Sequence, residues 1–228
     1  MQSDELTSKS LALWGGAALL IAIIVIGAVK LTSQGNGNTP DGVVAGLEPI
    51  SDADWVLGAT SSPAVLIEYS DFQCPACAAY HPLIEKVVAD YAGKIAFAYR
   101  HFPLGQHQQA KPAAYAAEAA GKQGKFWQMT KVLFEGQTEW AGESSAEKTF
   151  ETYAVRLGLN LEQFRADVKS SETKARVETN YQGGIKAGVN STPTFYLNGK
   201  KLLSPSSYEG FKQYIDAAIP ARQSQSDQ

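Results

Sequence analysis

Cysteine is scarce in this sequence, since the 228 residues contain two cysteines, Cys74 and Cys77, with two residues between them. A structural disulfide stabilises a fold mainly by closing a loop in the unfolded chain, and the effect grows with the length of that loop. A bridge between these two positions would close almost no loop. The pair is therefore not explained as a structural disulfide that stabilises the fold.

Positive charge is scarce as well. The formal net charge is −3, and no run of like charges marks a patch that would bind an anionic membrane surface. Nucleic-acid-binding proteins need a basic stripe that neutralises phosphates, so this balance argues against that class. With 44% hydrophobic and 19% charged residues, the chain is suited to a folded core. A folded part of about 180 residues fits one domain.

The N-terminal region carries a long apolar run. Residues 11–29 contain no charged side chain and lie between Lys9 and Lys30. As a helix they would cover roughly 28 Å, close to the ~30 Å of a bilayer core. We interpret residues 11–31 as an uncleaved transmembrane anchor, because the apolar part of a cleavable signal peptide is shorter, about 7–15 residues. Cleavage near residues 33–38 is the alternative.

Composition also predicts the segments around the anchor. Residues 32–49 are rich in Gly, Asn, Ser and Thr and are expected to be a flexible linker. The charges flanking the anchor do not decide its orientation. Residues 1–10 hold no domain, and the dithiol chemistry suits an oxidising compartment, so we expect a cytoplasmic N-terminus. The folded domain, residues 50–220, is then expected outside the cell membrane, followed by a disordered tail at residues 221–228.

Hydrophobic patterns within the domain predict a mixed α/β fold. The expected order is a buried strand, a helix, a second strand, a helical insertion, a hairpin turning at Asn198-Gly199, and a closing helix. The hairpin strands are predicted at residues 194–197 and 201–203. The other segments are expected at residues 64–69, 75–91, 94–101, 107–188 and 208–218.

The dithiol lies where the first predicted helix begins. A helix N-terminus offers free backbone N–H groups and a partial positive charge, and both favour the thiolate of Cys74. The pKa of such a cysteine can fall from about 8.5 to ~3.5–7. Cys77 lies one turn further along the same side of the helix and is expected to be more buried. This arrangement suits exchange at Cys74 and resolution by Cys77.

A zinc site is the alternative explanation of the two cysteines. His101 and His107 have a spacing found in some zinc-binding patterns. However, 23 residues separate Cys77 from His101, and a well-formed sheet domain does not need the metal. We therefore expect neither a metal nor another cofactor.

Two segments resemble the DsbA-like branch of the thioredoxin superfamily. Residues 65–77, which end in Cys-Pro-Ala-Cys, are similar to its active-site segment, and residues 188–199 resemble its cis-proline loop and hairpin. Residues 99–104 look like the exit of its second strand. The likeness runs from about residue 54 to 219, and the combination of motifs is far more specific than a CxxC pair alone. It implies a thioredoxin-like fold with an inserted helical subdomain.

The resemblance also implies the roles of individual residues. Cys74 and Cys77 would form the catalytic disulfide, and Pro193 would be a cis proline that faces them. Thr192 would pair with an extended substrate segment and influence the dithiol. The substrate site would also include Pro75 and Ala76.

Glu68, six residues before Cys74, matches a buried acid beneath the active site of relatives. Burial would raise the pKa of its carboxyl, which could then relay the proton of Cys77. A solvent-facing strand glutamate is the alternative. His81 lies one turn past Cys77 and is expected at the surface of the helix.

The predicted function is an extracytoplasmic thiol–disulfide oxidoreductase, anchored in the membrane, that introduces disulfides into exported proteins with cysteine thiols. A separate membrane redox partner would re-oxidise it. Strongly oxidising relatives often carry histidine at the position of Ala76, so a membrane-tethered reductase is an alternative. A non-catalytic peptide-binding module is a second.

Overall fold

The computed structural model describes residues 44–203 and 205–219. The predicted anchor at residues 11–31, most of the linker and the predicted tail at residues 221–228 lie outside this part of the chain. Within it, no helix combines the length and the apolar character needed to cross a membrane.

A five-stranded sheet forms the centre of the domain, with the strand order β1-β3-β2-β4-β5. The central strands β2 and β3 are parallel, and the other neighbouring strands pair antiparallel. All seven residues of β3 are buried, so helices cover both faces of the sheet at this strand. The strands are β1 Trp55–Leu57, β2 Ala64–Ser70, β3 Ile95–His101, β4 Thr194–Leu197 and β5 Lys200–Lys201.

Helices follow the strands in the predicted order. The helix after β2 is α1, Pro75–Asp90, and the closing helix is α8, Tyr208–Ala218. Six helices lie between β3 and β4 and form the helical insertion: α2 Ala110–Lys122, α3 Phe126–Glu135, α4 Gln137–Trp140, α5 Glu147–Arg156, α6 Leu161–Lys169 and α7 Ser171–Lys186. The mixed α/β architecture with helical elements is thus confirmed.

Two details differ from the sequence prediction. The short elements β1 and α4 were not predicted, because three or four residues carry too little periodicity to reveal them. The second hairpin strand was predicted at residues 201–203 but is Lys200–Lys201. The two turn residues, Asn198 and Gly199, both have positive φ angles, and this tight turn brings Lys200 opposite Leu197.

A buried charged cluster joins the insertion to the sheet. The Glu118 carboxylate of α2 accepts a hydrogen bond from Trp55 Nε1 at 2.9 Å and lies 2.8 Å from His101 Nε2. Its other oxygen lies 3.0 Å from Nε of Arg176 on α7. The Arg176 guanidinium also lies over the Trp55 ring, 4.6 Å from its centre. One carboxylate therefore connects β1, β3, α2 and α7.

Candidate active site

Cys74 occupies the position immediately before the first residue of α1, with Pro75 as that first residue. Its N–H donates to the carbonyl oxygen of Asp71 at 3.0 Å, and its own carbonyl accepts from the N–H of Ala78 at 3.2 Å. The first turn of α1 carries no acidic side chain. The sulfur therefore lies at the positive end of the helix dipole, and no acidic side chain in the first turn opposes a thiolate there.

Both cysteines are free thiols in this structure, and Cys74 is the more acidic. The pKa of Cys74 is lowered to about 5, chiefly because the Cys77 thiol donates a hydrogen bond to its sulfur. Burial opposes this shift, whereas the Thr192 hydroxyl and the backbone N–H groups of Ala76 and Cys77 add to it. At neutral pH the thiolate is therefore the main form of Cys74.

Cys77 behaves in the opposite way. Its side chain is completely buried, and burial raises the pKa of its thiol well above the ordinary value. The hydrogen bond that it donates to Cys74 and the negative charge of Glu68 act in the same direction. One cysteine is thus suited to be a thiolate and the other a protonated thiol, which is the division of roles that disulfide exchange needs.

The loop before β4 lies against Cys74. The Thr192–Pro193 peptide bond is cis, as the resemblance implied, and the Cys74 thiol donates to the carbonyl oxygen of Thr192 at 3.4 Å. The Thr192 hydroxyl is buried on the same side and contributes to the lowered pKa of Cys74. Pro75 and Ala76 are exposed, so this side of the dithiol is open to solvent.

Glu68 lies on β2 beneath the dithiol, with 5% of its surface exposed. Burial raises the pKa of its carboxyl to about 7, against the opposing effect of the Ser70 hydroxyl. The alternative of a solvent-facing glutamate is therefore wrong, because helices cover both faces of the central strands. A carboxyl with this pKa can exchange a proton with a thiol near neutral pH.

Glu68 lines a cavity of about 250 Å³ between α1, β3 and the insertion. The cavity is also lined by Tyr99 and Thr130, whose hydroxyls are buried without hydrogen-bond partners in the described part of the chain. The rest of the lining is mostly apolar, so water in this space would be held beside Glu68 and these two hydroxyls. The exposed Glu85 lies at its rim, so the cavity extends from the buried acid towards the surface.

His81, which was expected at the surface of the helix, also lines this cavity. Its side chain is only 14% exposed, and its ring packs against Phe134 of α3 with ring centres 4.8 Å apart. Burial lowers the pKa of the imidazole. The expectation of a surface residue is wrong because α3 packs on this side of α1.

The two histidines of the zinc alternative each lie against a carboxylate. His101 Nε2 is 2.8 Å from Glu118, and His107 Nδ1 is 2.7 Å from Asp71 Oδ2. Asp71 also accepts hydrogen bonds from the backbone N–H groups of Gln73 and Leu104 and thereby orders the loop before Cys74. Within residues 44–203 and 205–219, no group of three or more potential ligands is suited to a metal.

Sequence reasoning missed the buried hydroxyls around the dithiol. Ser70 and Tyr99 lie on neighbouring strands, and their hydroxyls are buried beside Glu68 and Cys77. Burial raises the pKa of Tyr99 well above its ordinary value, so its hydroxyl stays protonated. Serine and tyrosine are common in strands, and no local pattern distinguishes these two positions.

Comparisons with known proteins agree with this geometry. A family model described as thioredoxin matches residues 51–217. The chain is 38% identical over 165 residues to a Na(+)/H(+) antiporter NhaA 1 of Mycolicibacterium gilvum, a match that covers 70% of this chain and 26% of the antiporter. The chain thus spans about a quarter of the length of the curated relatives it matches.

Two solved structures illustrate the likeness of fold. A thioredoxin-like oxidoreductase from Silicibacter pomeroyi is 25% identical with a TM-score of 0.63, over 74% of this chain and 93% of that one. The α-DsbA1 of Wolbachia pipientis is 23% identical with a TM-score of 0.67, over 75% and 93%. This chain therefore shares its fold with these two proteins.

Proposed function

The chain belongs to the thioredoxin family and carries the dithiol site of a thiol–disulfide oxidoreductase, and from this premise we propose that it introduces disulfides into exported proteins. The observation that carries the proposal is the opposite ionisation of the pair. The pKa of Cys74 is lowered to about 5, whereas that of Cys77 is raised well above its ordinary value. A stabilised Cys74 thiolate stabilises the reduced pair, and a stable reduced pair makes its disulfide a strong oxidant.

The reaction transfers two electrons from a substrate dithiol to the Cys74–Cys77 disulfide. A substrate thiolate attacks Cys74, the bond between the two cysteines breaks, and Cys77 leaves and takes up a proton. A second substrate thiolate then attacks the substrate sulfur of the mixed disulfide, and Cys74 leaves as a thiolate. The substrate gains a disulfide, and the pair ends reduced.

Glu68 is proposed to supply the proton that Cys77 takes up. Its carboxyl is buried near Cys77, and its pKa of about 7 keeps a large fraction protonated at neutral pH. The cavity beside it extends towards Glu85 at the surface, so water within it could return the proton to Glu68.

The substrate is proposed to bind as an extended segment beside the cis-proline loop. The support is geometric: the Thr192 carbonyl lies 3.4 Å from the Cys74 sulfur, and the exposed Pro75 and Ala76 flank the same opening. Backbone pairing at Thr192 would hold a substrate of any sequence.

Equilibration of the dithiol with glutathione tests the direction of the reaction. A reduction potential between about −180 and −120 mV is expected for an oxidase. A value near about −270 mV would instead support the alternative of a tethered reductase. The side chain of Ala76 provides neither charge nor hydrogen bond to the thiolate, so the low pKa of Cys74 depends on the Cys77 thiol, the Thr192 hydroxyl and backbone N–H groups.

Oxidation of reduced ribonuclease and reduction of insulin distinguish catalysis from mere peptide binding. Cys74→Ala should abolish both activities, since the other cysteine, Cys77, is completely buried and cannot form the mixed disulfide. Glu162→Gln, a change at an exposed residue of α6, serves as the control and should retain activity. Turnover that survives in Cys74→Ala would contradict the dithiol mechanism. The alternative of a non-catalytic peptide-binding module would then be favoured.

We also propose that residues 11–31 anchor the chain in the cell membrane and residues 32–49 tether the catalytic domain outside it. The support is the uncharged run of 19 residues and the oxidising chemistry of the site. The similarity to part of proteins named as antiporters, which work in membranes, is in line with this placement. A membrane redox partner would then re-oxidise the pair.

Labelling of intact cells tests this placement. After mild reduction, a membrane-impermeant thiol reagent should modify Cys74 without lysis. Labelling that requires lysis would place the domain inside the cell and overturn the proposal. A Cys74→Ser variant controls for labelling of other proteins.

A further inference from the structure

Gln137 is far from the dithiol in sequence and beside it in space. It is the first residue of α4, and 7% of its surface is exposed. Its side-chain amide nitrogen donates to the carbonyl oxygen of Phe72 at 2.6 Å and to that of Cys74 at 3.0 Å. Both amide protons are therefore engaged by the loop that ends at the reactive cysteine.

These two bonds hold the backbone on either side of Gln73. The N–H of Cys74 is bonded to Asp71, and its carbonyl also accepts from Ala78 in the first turn of α1. Gln137 adds a restraint from the insertion, on residues 72–74, while the Thr192 carbonyl lies 3.4 Å from the sulfur. The insertion therefore participates directly in placing Cys74.

The orientation of the amide also has an electrostatic effect. One N–H group of Gln137 points at the carbonyl oxygen of Cys74 and the other at that of Phe72, so the positive end of the amide dipole lies beside the Cys74 peptide. In a buried site such a dipole is weakly screened and favours a nearby negative charge. The disulfide form carries no charge on Cys74, so the amide favours the reduced pair over the oxidised one.

We propose that Gln137 is a positioning residue through which the helical insertion holds the Cys74 backbone in the geometry that favours its thiolate. The inference deepens the proposed exchange reaction and rests on it. It assigns to the insertion a part in setting the redox equilibrium of the dithiol, besides covering the sheet.

Gln137→Met tests the proposal, because methionine has a similar length and no donor. Two readings are taken on the full chain: the thiolate titration of Cys74, followed by ultraviolet absorbance, and the equilibrium constant with glutathione. We expect a higher Cys74 pKa and a change of ~3–10-fold in the exchange constant towards the oxidised pair, where tenfold corresponds to about 30 mV. Gln137→Glu should shift both in the same direction, since a carboxylate places negative charge at this site, and it provides the test should Gln137→Met not fold.

Gln109→Met is the matched control. Gln109 is also buried, and its side-chain amide donates to the carbonyl oxygens of Glu143 and Ser144. The substitution keeps its backbone N–H, which donates to Gln73 Oε1. Loss of this side-chain amide should lower the free energy of unfolding and leave the Cys74 pKa and the equilibrium constant with glutathione unchanged. The proposal is overturned if Gln137→Met alters stability alone, or if both methionine variants move the readings equally. A shift in the Cys74 titration without any oxidase activity would retain the role of Gln137 and defeat the proposed function.

Discussion

At the scale of single residues, the structure shifts the pKa values of two cysteines one helical turn apart in opposite directions. Cys74 lies at the opening of the helix and accepts hydrogen bonds at its sulfur, whereas Cys77 is completely buried and donates one. The two pKa values differ because burial and hydrogen bonding differ, since the residue type is the same. The largest contribution to the acidity of Cys74 is the thiol of its partner.

Replacing Cys77 should therefore change how Cys74 titrates. The reduced protein should be half ionised at Cys74 near pH 5. Cys77→Ala removes the donor and should raise this midpoint by more than about one unit, whereas Cys77→Ser retains a hydroxyl donor and should raise it less. The pH dependence of alkylation by iodoacetamide measures the midpoint. Equal midpoints for the two variants would contradict the assigned hydrogen bond.

Glu68 makes stability depend on pH. The pKa of its carboxyl rises from 4.5 to about 7 on folding, so the folded state holds the proton more tightly. The resulting stabilisation is fully present below about pH 4.5 and is lost as the pH rises through about 7. Relative to Glu68→Gln, the wild type should therefore lose roughly 3 kcal/mol between pH 4.5 and pH 8.

Urea denaturation of both proteins across this range checks the prediction. The variant of an exposed carboxylate, Glu162→Gln, should follow the wild type at every pH. If the difference between the wild type and Glu68→Gln does not change with pH, the carboxyl is not buried as described.

At the scale of elements, the close packing of α7 against the sheet depends on a glycine. A β-carbon at Gly184 would lie 2.5 Å from Phe102 Cδ2 and 3.0 Å from Tyr69 Cδ1. Both rings are buried, so neither can move aside easily. A side chain at this position should push α7 away from the strand exit.

Gly184→Ala should consequently destabilise the protein by ~1–3 kcal/mol, despite the higher helix propensity of alanine. Gly183 is the matched control in the same helix, because a β-carbon there would meet only Tyr69 Oη at 3.7 Å. Gly183→Ala should be neutral or stabilising by up to about 1 kcal/mol. Chemical denaturation of the pair measures the difference, and equal effects would show that α7 packs less closely than described.

The Glu118 cluster should contribute more to stability than surface ion pairs do. Glu118→Ala leaves Trp55 Nε1 without its acceptor and opens a gap between α2 and the sheet, so a loss of ~2–4 kcal/mol is expected. Glu151 pairs with Arg165 at 2.6 Å on the exposed surface, and Glu151→Ala should cost less than about 1 kcal/mol. Comparable losses in thermal or urea unfolding would mean that burial does not strengthen the Glu118 contacts.

At the scale of the whole molecule, the redox state should change stability. The Cys74–Cys77 disulfide closes almost no loop, so it adds little to the folded state. The reduced form instead gains from the lowered pKa of Cys74. That gain is fully present above the ordinary thiol pKa and is lost as the pH falls through about 5.

The reduced protein should therefore unfold at a higher temperature than the oxidised protein at pH 7, and the gap should narrow towards pH 5. Scanning calorimetry of both forms provides the measurement. In Cys74→Ser, which cannot form the disulfide, oxidant should leave the transition unchanged. A more stable oxidised form at pH 7 would favour a reductase.

The sequence by itself determined the order of strands and helices and the position of the dithiol at a helix start. The strand before Cys74, the proline after it and the distant Thr192-Pro193 are local patterns, and local patterns specify local structure. They predicted a mixed α/β fold, and their resemblance to the DsbA-like branch implied the thioredoxin-like fold and the residues that meet at the site.

The tertiary structure decided what surrounds the dithiol. The burial of Glu68 and His81 depends on helices that pack from the insertion, and Gln137 reaches Cys74 across 63 positions of sequence. Solvation and hydrogen bonding set the pKa of each group, and both depend on neighbours that are remote in sequence. The sequence therefore located the cysteine pair, whereas only the packing around it made Cys74 the thiolate and Cys77 the protonated partner.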